Sequence, residues 1–323
     1  MPAGPDRPIF IIGIEHRSGT NFLNDLLALH DDCCRPTTIG EDFLLHNADH
    51  LRRYAAGLHQ SWNPEWRASA SQADIGAALG RGLLSILEAQ ADRQAPRILT
   101  KTPRADRLSL YPWLFPDHPL LIIIRDGRSL VESAVRSFGW TYGKAIERWA
   151  RGARRILEFD RDNRDSACRY LVVRYEDLVT DLASELRRIL AFLRLDPAGY
   201  DFAAAAALPV RGSSMLKTTG QKLHWTPVDK SKDFRPLERA SNWTASQNRT
   251  FLRKAGHLQQ LLGYSLAGIQ QQGLLDRLLG RVNEFRWRRK IARLGLRPLE
   301  RQVVETPDDA AEVLPFRTIR RAA

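Results

Sequence analysis

The sequence is short of sulfur and of acid. Three cysteines and two methionines occur in 323 residues. Cys33 and Cys34 are adjacent and Cys168 lies far away, which excludes a disulfide framework and the paired spacing of a zinc site. A reducing compartment follows, and with it the expectation of a cytoplasmic protein. The start, MPAGPDRP, lacks a charged segment leading into an apolar one, and no apolar run approaches the roughly 18 residues of a membrane-spanning helix. Wholesale disorder is excluded by a hydrophobic share of 43%. Acidic residues number 37 against 49 basic ones, a net charge of +12 that favours polyanionic partners. Nucleic acid is not the expected one, because no aromatic–basic stacking pattern or nucleic-acid module is present.

A lysine is missing where a nucleoside-triphosphate loop would carry one. Residues 9–30 read IFIIGIEHRSGTNFLNDLLALH: an apolar strand, a short polar turn and a helical pattern. The triphosphate loop G-x-x-x-x-G-K-[ST] needs glycines five apart and a lysine directly after the second. Here Gly13 and Gly19 are six apart and Thr20 stands at the lysine position. The turn still suits an anion. Gly19 lets the backbone approach closely, Ser18, Thr20 and the amides of the next helix can donate, and Arg17 adds a charged fork.

Four apolar segments read as buried strands, Ile9–Ile14, Ile98–Thr100, Leu120–Ile124 and Tyr170–Val173. The run LLIII at Leu120–Ile124 has the continuous apolarity of a parallel strand covered on both faces. Helical patterns alternate with them, as at Asn21–Leu29, Ile75–Ala91, Ser129–Phe138 and Leu182–Leu193. The fold class is therefore α/β, a doubly wound parallel sheet flanked by helices. From Asp201 to about Pro236 the chain reads as a long functional loop, followed by a helix near Gln247–Leu262 and a basic tail. Two parts are expected, a catalytic domain over residues 1–265 and a basic helical extension and tail over 266–323.

Ligands of open parallel sheets bind beyond the carboxyl ends of the strands. All four ends here are rich in Arg, Lys, Ser and Thr: His16–Asn21, Lys101–Arg104, Arg125–Arg128 and Arg174–Asp177. Arg125 precedes Ser133 by about two helical turns, so both can face one phosphate if that helix packs back along its strand. Asp126 is either a metal carboxylate or a helix cap; its flanking arginines suit an anion better than magnesium. Glu41 and Asp42 follow the first helix closely enough to return to the same crevice, where a general base would be needed. His16, His46 and His224 are the rival bases.

Taken together, RSGTNFLNDLLALH, GED, LTKTP, LLIIIRDGRSLVESAVRS and VVRYEDLV resemble, in order and spacing, the sulfotransferases that use 3′-phosphoadenosine-5′-phosphosulfate (PAPS). The likeness is greatest to the tyrosylprotein sulfotransferases and their bacterial relatives, and it spans roughly residues 8–265. It implies a P-loop-kinase-like sheet without the triphosphate loop, with PAPS as co-substrate and no metal. By resemblance, Arg17, Ser18, Gly19, Thr20 and Asn21 cradle the 5′-phosphosulfate. Arg125 and Ser133 match the pair that holds the 3′-phosphate, and Tyr175 matches a further nucleotide contact. Glu41 matches the base, Lys101 the lysine that neutralises the transferring group, and Ser213 or Ser214 the serine of a loop that closes on the nucleotide. One departure stands out. The tyrosyl group has a lysine before the tryptophan of its late motif, whereas Asn242 precedes Trp243; Arg235, Arg239, Lys217, Lys222 or Lys232 are the candidates to compensate.

The resemblance implies in-line sulfuryl transfer to a hydroxyl acceptor. A glycan or small molecule is favoured by the charge, with peptide tyrosine as the other choice. A P-loop kinase-like phosphotransferase is the alternative, since the strand–turn–helix frame is shared. The basic helical tail has the composition to touch an anionic membrane or an acidic acceptor, although such a helix more often docks on its own domain.

Overall fold

The computed structural model describes residues 8–208, 243–266, 269 and 274–304, with side chains at 274–282 left aside. Five strands form one parallel sheet: β1 (Pro8–Gly13), β2 (Cys33–Cys34), β3 (Arg97–Thr102), β4 (Leu120–Ile124) and β5 (Tyr170–Arg174), in the order β2-β3-β1-β4-β5. The helices of the first half are α1 (Thr20–Leu27), α2 (Ala48–Ser61), α3 (Pro64–Ser69), α4 (Gln72–Glu88), α5 (Tyr111–Leu114) and α6 (Gly127–Phe138). Those of the second are α7 (Tyr142–Asn163), α8 (Tyr175–Thr180), α9 (Leu182–Leu193), α10 (Phe202–Ala207), α11 (Ala245–Leu261) and α12 (Leu274–Leu294).

The period-2 geometry of a strand divides the core in two. On β1, Ile9 and Ile11 pack with Phe22, Leu26 of α1 and Leu186, Ile189 of α9. Phe10, Ile12 and Ile14 face the opposite side, against Tyr111, Phe115, Trp149 and Ile156. Both faces are covered, so every residue of β1 and β4 is buried, as the unbroken apolar runs require. The α/β architecture read from the sequence is the one observed.

Several elements were not anticipated from the sequence, among them β2, α2, α7 and α10. Phe202–Ala207 lies in the stretch read as loop, yet it forms α10: Asp201 caps it by accepting from the Ala204 amide, 2.8 Å, and alanine has the highest helix propensity. The 22-residue α7 was not anticipated. Its Gly152 packs directly on the Ile14 carbonyl, where a Cβ would collide, and this close approach brings α7 onto the end of β1. Farther along, the described part of α12 docks on α11. Trp287 is buried and donates its indole N–H to the Arg253 carbonyl, 3.0 Å, while Ile291 and Leu294 pack on the core. No described helix is long and apolar enough to cross a membrane.

Candidate functional site

The chain order changes direction at β1, which sits between β3 and β4, and the polar turns of these strands converge there. The turn after β1 leads into α1 through Gly19 at φ 107°, a left-handed conformation natural to glycine. No side chain caps α1 among the described residues, so the first amides of that helix remain for a ligand. A Cβ at Gly19 would lie 2.5 Å from the Tyr175 ring, and one at Gly13 would strike the Ser18 hydroxyl. Ser18 is fully buried, and its hydroxyl has no hydrogen-bond partner among the described residues. An unsatisfied buried donor beside an uncapped helix start fits an anion.

Three contacts among residues singled out in the sequence meet around this turn. Arg17 donates from Nε to the Ser133 hydroxyl at 3.2 Å, so α6 does pack back along its strand. Arg125 donates to the Arg17 carbonyl at 2.9 Å, and its guanidinium lies 4.2 Å from the centre of the Tyr175 ring. Arg125 and Tyr175 are both buried, at 4% and 2% exposure. Arg17, Ser18, Gly19, Arg125, Ser133 and Tyr175 thus form one cluster. Ser213 and Ser214, with Lys217, Lys222, Lys232, Arg235, Arg239, Asn242 and His224, lie outside the described residues.

The other group assembles at the end of β3. Asp42 donates its amide to the Lys101 carbonyl at 3.0 Å, and its carboxylate accepts from the hydroxyls of Thr100 at 2.6 Å and Thr102 at 2.8 Å. This anchor ties the Gly40–Asp42 segment to the backbone of β3 at Lys101. Glu41 is half-buried and makes no hydrogen bond or ion pair among the described residues. A cleft of about 280 Å³ opens here, lined among others by Asn21 and Thr20's neighbours on α1, Gly40 and Lys101. So Asn21 belongs to the cleft wall, while Thr20 is buried in the first turn of α1.

Asp126 caps α6: its carboxylate accepts from the Ser129 amide at 2.8 Å and from the Gln259 side chain. Its own amide donates at 2.9 Å to Glu176, which also accepts from Tyr264 at 2.8 Å. Burial lifts the Glu176 carboxyl above its ordinary range despite these bonds. Trp243 of the late motif is buried, and its indole donates at 3.0 Å to Glu132, which also accepts from Tyr142 and Arg136.

Glu15 was missed in the sequence. It is 5% exposed at the end of β1, two residues from Arg17, and accepts from His16 Nδ1 at 2.6 Å and Arg148 of α7 at 2.9 Å. Burial pushes its carboxyl up, but the bonds from His16 and Arg148 outweigh it and hold it at about 2. A carboxylate depressed by folding stabilises the fold above its unfolded pKa, and the contribution fades as pH falls towards the folded value. The span from the ordinary 4.5 down to about 2 corresponds to roughly 3 kcal/mol at neutral pH. Urea denaturation should therefore find Glu15→Gln destabilised by that order at pH 7. The gap should narrow as pH falls from about 4.5 towards 2; a gap that stays constant would contradict the assignment.

A model described as the sulfotransferase family matches residues 8–198, more than half of the chain. The chain belongs to the sulfotransferase family. That membership favours the sulfotransferase expectation over the phosphotransferase alternative. It is 28% identical to protein-tyrosine sulfotransferase A of Caenorhabditis elegans over 196 residues, 58% of this chain and 50% of that protein. It is 27% identical to the protein-tyrosine sulfotransferase of Drosophila melanogaster over 198 residues, 58% of this chain and 38% of that protein. The matched part thus spans half or less of the length of these curated relatives. Among solved structures, the sulfotransferase domain of the Synechococcus PCC 7002 olefin synthase is 27% identical with a TM-score of 0.42, covering 64% of this chain and 78% of that one. A sulfotransferase from Alicyclobacillus acidocaldarius is 15% identical with the same TM-score of 0.42, covering 81% of this chain and 98% of that one.

Proposed function

We propose that this sulfotransferase-family chain transfers a sulfuryl group from PAPS to a hydroxyl of its acceptor. The observation that carries the reading is the cluster of Arg17, Arg125, Ser133 and Tyr175 closing on the uncapped start of α1. When bound, the donor supplies an activated sulfur whose bond to the phosphate oxygen breaks as the acceptor oxygen bonds to it. The chain's residues do the rest by position and charge. Ser18, the first amides of α1 and Arg17 hold the anionic oxygens. Arg125, which lies over the Tyr175 ring, would hold the 3′-phosphate together with Ser133. Lys101 neutralises charge that moves towards the leaving phosphate. Glu41 takes the proton of the acceptor hydroxyl as the new bond forms. With Arg17 and Lys101 supplying fixed positive charge, no metal is required in this scheme.

For the acceptor, the named relatives favour a tyrosyl hydroxyl. The net charge of +12 is the observation that favours an acidic glycan or small molecule instead. We also place the chain in a reducing compartment, the cytoplasm. Cys33 and Cys34 are consecutive in β2, so their thiols point to opposite faces and cannot pair, and burial pushes Cys33 up to about 12.

Calorimetric titration without metal tests the donor. The product nucleotide 3′-phosphoadenosine-5′-phosphate should bind, and both ATP and adenosine 5′-phosphosulfate should bind much more weakly. Arg125→Ala should weaken the 3′-phosphorylated ligand by roughly ten- to a hundredfold, the worth of hydrogen bonds to a charged group. A preference for ATP would overturn the reading.

A further inference from the structure

A second anion-attracting feature lies away from the strand ends. Helices α7, α11 and α12 enclose a cleft of about 560 Å³ into which each contributes two cations: Arg151 and Arg154, Arg253 and Lys254, Arg286 and Lys290. Six positive groups share this space with few counter-charges. Glu147 pairs with Lys254, and Glu158 lies close enough to act on Lys290. Among the described residues, about four of the six charges are therefore uncompensated.

The walls are fixed rather than incidental. Trp287 of α12 donates to the Arg253 carbonyl at 3.0 Å, and Asn283 donates to the Leu252 carbonyl at 3.3 Å. The Lys290 ammonium rests over the Trp287 ring at 4.9 Å. Beneath it, the Arg154 Nε is buried without a hydrogen-bond partner among the described residues. Burial and the neighbouring Arg154 charge lower the Lys290 pKa, the mark of a site where like charges are crowded. Such crowding opposes folding unless an anion enters the cleft.

We propose that the cleft between α7, α11 and α12 binds an anionic oligosaccharide, a sugar chain carrying sulfate or carboxylate groups. A peptide is the poorer fit. An arginine cluster can also recognise an acidic peptide, but the apolar part of this lining is limited to Ala150 and Trp287, which gives peptide side chains little to anchor on. A membrane surface is the poorer fit too, because the cations line a concavity while Trp287 is buried beneath them. What the cleft presents is six cations spread over three helix walls, suited to a chain that carries an anion on each ring. This cleft is separate from the strand-end site, whose proposed nucleotide enters the test below only to block the arginines there.

The test is a calorimetric titration of the full chain with a heparin-derived tetrasaccharide, in the presence of saturating 3′-phosphoadenosine-5′-phosphate to occupy the strand-end arginines. Binding should fall roughly a hundredfold between 50 and 200 mM salt, as about four neutralised charges imply. Arg151→Ala with Arg286→Ala, both exposed positions, should lower the slope of log affinity against log salt by about two. Arg154→Met with Lys290→Met is the second variant. Unchanged melting temperature and unchanged nucleotide binding would show that neither pair acts by unfolding the chain. Tetrasaccharide affinity that neither variant alters would overturn the proposal. So would equal affinity for a poly-glutamate peptide of the same charge, or capture by phosphatidylserine vesicles that depends on the same residues.

Discussion

Glu41→Gln should lower kcat by about 10²–10⁴ while leaving 3′-phosphoadenosine-5′-phosphate binding unchanged. The range is that of a general base whose proton acceptance is removed. The adjacent acids differ in what they are free to do. Asp42 is occupied: it accepts from Thr100, Thr102 and the Leu44 amide, and its own amide binds the Lys101 carbonyl. Glu41 has no such engagement among the described residues and is half-buried, which leaves its carboxylate available for the proposed role as base. Asp42→Asn should therefore act through position, with a smaller loss of rate accompanied by a loss of stability. The amide of E41Q keeps size and shape, so any rate loss reports the proton. Full rate in E41Q would remove Glu41 from the role. If His16, oriented by Glu15, were the base instead, Glu15→Gln would depress the rate as strongly as expected for E41Q.

The parts of the site that were legible from sequence are those set by local pattern. Strand ends follow from apolar runs, and the carboxyl-end rule then places Arg17, Lys101, Arg125 and Tyr175 in one region without any coordinates. The eight-residue interval from Arg125 to Ser133 was enough to foresee that α6 could return Ser133 to the turn, and Arg17 binds it there. What was not legible depends on distant partners. β2 has two residues and no period of its own; its place is set by pairing with Arg97 and Ile98. In α7 the inward stripe of Ala145, Trp149, Ala153 and Ile156 has the right spacing, but small residues among many arginines give it little contrast. Without α7, Arg148 has no known position, and Glu15 reads as an unexplained acid in a basic turn. Asp126 and Trp243 show the converse. Both stand in motifs that invite a functional reading, and both spend their polar atoms on holding helices, through Ser129 and Gln259 in one case and Glu132 in the other.

Arg17→Gly should cost about 10²–10³ in kcat, the usual loss when one preorganised donor to developing charge is removed. The backbone makes this a clean experiment. Arg17 adopts φ 74°, a left-handed conformation that is strained for any residue with a side chain. Glycine occupies that region without penalty, so the variant should melt no lower than the parent. The Arg17 carbonyl, which accepts from Arg125, is retained, and the 3′-phosphate site should persist. Affinity for 3′-phosphoadenosine-5′-phosphate should then fall less than in Arg125→Ala, while turnover falls more. Arg17→Lys separates charge from geometry. It keeps the positive charge but lacks the planar fork and the Nε that binds Ser133, so its rate should lie between those of the parent and Arg17→Gly. Turnover of Arg17→Gly within threefold of the parent would show that the guanidinium serves the architecture of the turn and not the transferring group.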